Sequence, residues 1–217
     1  MSNTVRVTTQ EGPMALSRTQ IVEEALRLVD EKGLDGLSLR TLAARLDVQA
    51  PTLYWHLPNK SALLDAVSDA IMGEALDGLS RLDDAQPTDE WMLAALVTLR
   101  DAMLAHRDGA RIVSGAHDSL RRAEFVELGM RRLLADGVDE RHAWLLMLAA
   151  TRYALGHVLA EQGPDAPPSA ELEPEFRRRF PLVARSVSDY FAAQTADDLY
   201  RDAVQLLLAR LSAPGEW

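Results

Sequence analysis

The sequence predicts an all-α protein, with an N-terminal three-helix head of helix-turn-helix form and a larger C-terminal helical body that would bind ligand and dimerise. Three observations predict this. Apolar residues recur at three- and four-residue spacing along most of the chain, and no stretch alternates like a strand. Ser, Asn and Pro stand where such stretches begin, and Gly or Pro where they stop. Between Ser38 and Leu57 lie two helices too short to bury much, joined by a tight turn, the second dense in Thr, Tyr, Trp and His. The usual purpose of such a pair is to place its second helix in a DNA major groove.

The elements follow in order. Residues 1–16 read as a loose tail without the basic start and apolar block of a signal peptide. Ser17 caps a helix whose Ile21, Ala25, Leu28 and Val29 share a face, and Lys32-Gly33 ends it. Ser38 caps a second helix carrying Leu42 and Leu46, which with Val48 pack it onto its neighbours. Pro51 opens the third, where a missing N–H costs nothing. Asn59 caps a long helix with Leu64, Val67, Ile71 and Ala75 on one face. A loop spans Asp83 to Thr88, and helices are expected at about 89–106, 118–135 and 139–162. Residues 163–174 read as a loop or linker, followed by helices over 182–193 and 196–211. The expected divisions are a tail at 1–16, a DNA-binding head at 17–62 and a ligand-binding and dimerisation body at 63–217.

Charge is unevenly spread. The net charge is −10, yet residues 1–60 hold 7 basic and 7 acidic side chains while residues 61–217 hold 16 and 26. A neutral head on an acidic body suits a protein that brings only its head to phosphates; chance variation is the plainer alternative. The absence of Cys excludes disulfides, thiolate metal sites and cysteine nucleophiles. No apolar run approaches the roughly 18 residues of a membrane span, so a cytoplasmic protein is expected. His56, His106, His117, His142 and His157 form no His-x-x-x-His spacing, and Asp83-Asp84 and Asp197-Asp198 read as helix caps. Neither a catalytic site, a cofactor nor a bound metal is expected.

Arg40 sits in the first turn of the second helix, within reach of a backbone phosphate. Thr52 and Tyr54 suit phosphates and thymine methyls, and His56 and Lys60 a phosphate at the far end. A helical corner with its aromatics in the core is the alternative. It covers Leu53 and partly Trp55, but not Tyr54 and His56 beside Thr52.

The segment Leu37–Ala66 resembles the TetR family of transcriptional regulators, and Pro51–His56 is similar to its tetracycline-repressor branch. The likeness continues through His106–Arg111 and Leu155–Leu159, covering about 17–165 and, more weakly, the C-terminus. It implies DNA contacts at Arg40, Ala50, Pro51, Thr52, Tyr54, His56 and Lys60. Ala50 departs from the branch, whose Gln there reads a base edge; Ala offers only a methyl. Leu39 replaces a phosphate-contacting Thr. The resemblance therefore implies an operator other than the tetracycline operator.

In the body, the helix from Asp139 is apolar nearly all round over Ala143–Ala150, and the last helix carries Leu199, Ala203, Leu206, Leu207 and Leu211. Both could be ordinary core. The resemblance implies instead an interchain four-helix bundle in a homodimer, with two heads about 34–36 Å apart on a palindrome. Met72, Leu76, Trp91, Leu99, Met103, Val113, Phe125, Leu133, Trp144, Met147 and Leu155 could line a cavity, with His117, Thr151, Arg152 and His157 scattered among them. Plain packing is the alternative. Arg152 needs a partner: Glu161, an acid across an interface, or an acidic ligand.

By position, the resemblance puts the branch's magnesium-ligating His at Val113, and its drug-gripping His and Asn at Leu76 and Ala95. Its Phe falls on Leu99, its Gln on Gly129, and the Glu that holds the metal's water on Ala160, beside Glu161. These losses imply a hydrophobic small-molecule inducer, aromatic or polyketide-like and bound without metal, rather than magnesium-tetracycline. Two other classes compete. One is a helical small-molecule-binding enzyme, for which the chain offers no nucleophile or acid/base pair. The other is an architectural DNA-binding protein without an effector.

Overall fold

The computed structural model describes residues 16–163, 174–191 and 194–209. Nearly all of the expected tail, the 163–174 loop and Leu211 lie outside these residues.

Helix α1, Arg18–Lys32, starts at a capping box: Ser17 accepts from the Gln20 N–H while Gln20 caps the Ser17 N–H. It buries Ile21, Ala25, Leu28 and Val29, and ends at Gly33, whose φ of 74° suits a residue without a side chain. A short 3₁₀ turn, Leu34–Gly36, leads to α2, Leu39–Arg45, opened by a second reciprocal cap between Ser38 and Thr41. Asp47 takes the left-handed conformation in the turn to α3, Ala50–His56, so Pro51 stands second in that helix rather than first. Leu42 and Leu53 are fully buried, with Leu46 and Val48 packed against them.

Asn59 then caps α4, Lys60–Leu79, through the Ala62 N–H. The body continues with α5, Thr88–Leu104; α6, Gly109–Gly115; α7, Leu120–Ala135; and α8, Glu140–Glu161. Two six-residue helices, α9 (Pro174–Arg179) and α10 (Pro181–Ser186), precede a π-helical turn at Val187–Phe191 and α11, Ala196–Leu208. Helix α4 packs on α1, α5, α6 and α7, and α8 on α5, α6, α7 and α11. One continuous apolar cluster runs from Ile21 in the head to Leu208 in α11, with α4 as the bridge.

Three sequence expectations are corrected. Helix α6 was not among the expected helices; Asp108 occupies the left-handed N-cap and Gly109 begins it. Asp83-Asp84 does not cap α5, whose N-cap is Pro87; Asp83 closes a turn onto the Ala85 N–H. Asp198 does cap, in a reciprocal pair with Thr195 at the start of α11. Helix α8 is long and apolar enough, by length and composition, to cross a membrane. Within the chain it buries only the stripe Ala143, Met147, Ala150, Ala154 and Val158. Trp144, Leu145 and Leu159 on its other faces remain exposed.

Candidate DNA-reading face and body cavity

In the head, burial of Leu53 fixes which way α3 faces. At about 100° per residue, Pro51 and Trp55 lie furthest from Leu53, flanked by Thr52 and Tyr54. The exposures agree: Trp55 is 90% exposed and Tyr54 51%. Arg40, Pro51 and Lys60 are also exposed, while Ala50, Thr52 and His56 are partly so. The structure therefore presents all seven expected contact residues at the surface. It also adds Trp55, which the sequence reading placed partly in the core. Helical periodicity counted from Leu53 is the signal that finds it.

Arg45 is not available to DNA. Its guanidinium donates to Glu24 at 2.7 Å and forks onto both Glu31 oxygens at 2.5 and 2.7 Å, fastening α2 to α1. These bonds hold the Glu31 carboxyl below, and the Arg45 guanidinium above, their ordinary ranges.

A polar clasp joins head to body. The Asp108 carboxylate accepts from the Leu34 N–H at 2.8 Å and from Arg111 at 2.8 Å. Asp30 accepts the Arg107 N–H at 3.0 Å, and Arg111 reaches Asp35 at 3.2 Å. His106 is wedged between α1 and α4, with Nδ1 3.1 Å from Asp30 and Nε2 3.1 Å from Glu74. Burial opposes charge on its imidazole, but the bonds to Glu74 and Asp30 outweigh that and raise its pKa. Gly33 is needed here for a second reason, since a Cβ would stand 3.0 Å from the Asp108 carboxylate.

Further along α4, Asp65 accepts the backbone N–H groups of His117 and Asp118 at 2.8 and 3.3 Å. Asp69 accepts from the Ser119 hydroxyl at 2.7 Å and the Arg121 N–H at 3.2 Å. The loop between α6 and α7 is thus tied to the half of α4 nearest the head.

In the body, Leu79, Trp91, Met92, Ala95, Leu96, Phe125, Gly129 and Met147 line a narrow gap whose walls are too close to admit water. Of the residues expected to line a cavity, Trp91, Phe125 and Met147 meet here. Met72, Leu76, Leu99, Met103, Val113 and Leu133 are buried in the surrounding core instead, and Leu155 is partly buried. Thr151 turns its hydroxyl back onto the Met147 carbonyl at 2.6 Å. His117, Trp144 and Arg152 depart from expectation: all three face outward, Trp144 being 50% exposed. They lie off the narrow inward stripes of their elements. The sequence reading missed Leu79, Met92 and Leu96, because long apolar helices do not reveal which of their buried residues surround a gap.

Arg152 has no ion pair among the described residues. Glu161 is taken instead by the buried Arg100, which forks onto both its oxygens at 3.0 Å and reaches Asp197 at 3.2 Å. The Arg100 guanidinium lies 5.3 Å from the ring centre of Tyr200, which is fully buried and donates to the Leu96 carbonyl at 2.7 Å. Burial raises the Tyr200 phenol well above its usual range.

Val113, where the resemblance puts a metal-ligating His, is buried and apolar. Glu161 is committed to Arg100, and among the described residues no three His, Asp or Glu converge on a point.

A capped helix-turn-helix with an exposed third helix, coupled by one long helix to a body with an apolar cavity, is the architecture of a ligand-responsive transcriptional regulator. Residues 21–67 match the family described as bacterial regulatory proteins, tetR family, and residues 85–213 the tetracyclin repressor-like C-terminal domain. The chain belongs to the TetR family, as a DNA-binding transcriptional repressor. It is 36% identical over 155 residues to the class A tetracycline repressor of transposon 1721 from Escherichia coli, covering 70% of this chain and 69% of that protein. A TetR variant from Acinetobacter baumannii AYE, solved with minocycline, superposes with a TM-score of 0.70 at 28% identity, covering 91% and 99% of the two chains. BioQ, solved with its double-stranded DNA operator, gives a TM-score of 0.65 at 28% identity over 91% and 98%. Regulators of this family are generally not enzymes.

Proposed function

We propose that this repressor acts as a homodimer on a palindromic operator and is released by a hydrophobic small molecule bound without metal. The observation that carries this reading is the largely apolar lining of the body cavity, with Ala95 and Gly129 where the resemblance puts polar drug contacts of the tetracycline-repressor branch. Such a wall favours apolar surface and offers a hydrated metal–drug complex nothing to replace its water. The minocycline complex of the Acinetobacter relative supports a small-molecule ligand.

Dimerisation is supported by apolar surface that the single chain leaves open. Trp144, Leu145 and Leu159 on α8 and Leu206 on α11 are exposed. Two such helices from each copy would form a four-helix interface and hold two heads at the spacing of adjacent major-groove half-sites.

Release follows from the packing. The closed cavity admits a ligand only if its walls part, and Leu79 of α4 is one of those walls. The same helix carries Asp65 and Asp69, tied to the α6–α7 loop, and begins just after α3. Displacing α4 therefore changes how the head is held, and the ligand shifts the equilibrium by its preference for the parted state. Coupling of about 1–3 kcal/mol suffices for marked release. The reading is tested by gel shift with DNA from upstream of the coding sequence against random DNA. Preferential binding at physiological salt is expected; equal binding favours the architectural alternative and overturns the repressor reading.

A further inference from the structure

An open groove of about 520 Å³ lies where head meets body, a size within the range of small-molecule sites. Its head side is the end of α1, with Lys32 and Gly33, and its body side carries Arg107 and Arg111. Three fixed cations thus line it, against the carboxylates of Asp35 and Asp108, in a protein of net charge −10. The acceptors are spent. Asp108 takes the Leu34 N–H and one arm of Arg111, whose other arm reaches Asp35. Glu31, the carboxylate beside Lys32, is forked by Arg45. The donors are not spent. Lys32 makes no hydrogen bond or ion pair among the described residues, and the Arg107 guanidinium makes one bond, to the Glu31 carbonyl at 3.3 Å. That guanidinium is held in place: a Cβ on Gly33 would stand 3.2 Å from its Nε. Lys32 and Arg107 also offset the negative end of α1, which alone would repel an anion.

We propose that this groove binds the phosphate of a small phosphomonoester, which acts as a co-repressor opposing the inducer. The guanidinium edge takes two oxygens from the body side and the ammonium a third from the head side. A tetrahedral phosphate presents oxygens in both directions, where a planar carboxylate does not. Because Lys32 belongs to the head and Arg107 to the body, a bound ester favours the arrangement in which they stand together and the gap beside Leu79 is closed. In the release mechanism proposed above that arrangement holds the operator, so the co-repressor role rests on that mechanism, while the site itself does not. Linkage requires the operator and the ester to tighten each other by the same factor.

The test uses the full-length protein at fixed ionic strength, with ribose 5-phosphate and ribose as probes that differ in the phosphate. By equilibrium dialysis the ester should bind about tenfold tighter than ribose or more. Lys32→Met changes an exposed side chain and should remove that preference, and Lys32→Arg should restore it. The phosphorus NMR line of the ester should shift with the wild type and not with Lys32→Met. In gel shifts with DNA from upstream of the coding sequence, the ester should tighten binding about fivefold or more, and Lys32→Met should abolish the effect. Equal binding of the two probes, or a preference that survives Lys32→Met, overturns the site. An ester that competes with DNA, or leaves its binding unchanged, overturns the co-repressor role. If upstream and random DNA bind alike, the repressor reading falls while the dialysis result still decides the site.

Discussion

Arg45 in the head holds two carboxylates and Arg100 in the body three, in different surroundings. The Arg45 side chain is 32% exposed and that of Arg100 8%. Water screens the first cluster, so it orients α2 on α1 without deciding whether the head folds. The second lies among α5, α8 and α11 with Tyr200 against it, where a charge left alone is costly. The same split runs through the functional surfaces. In the proposed function the head works with what it exposes, Tyr54 and Trp55 above all, and the body with what it encloses.

The largest test of this contrast is a matched pair of substitutions. Arg100→Met should cost about 3 kcal/mol of stability in urea unfolding, because it leaves Glu161 with His157 alone, at 2.7 Å, in place of a forked guanidinium. Arg45→Met should cost less than about 1 kcal/mol. Similar losses would erase the distinction. Next comes Trp55→Ala, expected to weaken operator binding by about 1–3 kcal/mol in fluorescence anisotropy while the unfolding midpoint stays fixed. Lys60→Ala should weaken all sequences alike and lower the salt slope by about 0.9. Ser38→Ala removes the α2 cap and should cost about 1 kcal/mol.

The smallest effect concerns the clasp between the two regions. His106 has a folded-state pKa raised above its unfolded value near 6.5. Its protonated form therefore adds stability that is complete below the unfolded pKa and is lost as pH rises through the raised one. Thermal melts of the wild type should show that loss toward alkaline pH, and His106→Gln should flatten it. An unchanged pH profile in the variant would remove His106 from the clasp.

Much of the head was legible in the sequence because its signals are local. Ser17, Ser38 and Asn59 cap the helices assigned to them. The surface position of Arg40, Thr52, Tyr54, His56 and Lys60 follows from short-range spacing around Leu53. Trp55 faces outward, against the expectation of partial burial, because helical periodicity puts it opposite Leu53. The body was legible as helices but not as a site. Arg152 and Arg100 both interrupt apolar helices, and only the meeting of α5, α8 and α11 shows that Arg100 is the one drawn inside. Likewise Gly129 gains meaning from Met147, 18 positions away in sequence and in contact across α7 and α8.

We propose that this repressor keeps the family's head and lever while its body takes a different class of ligand. Calorimetric titration of the full-length protein with magnesium-tetracycline tests this most directly. The apolar wall and the loss of a ligating side chain at Val113 predict no binding heat at micromolar concentrations. Tight, magnesium-dependent binding would contradict the account.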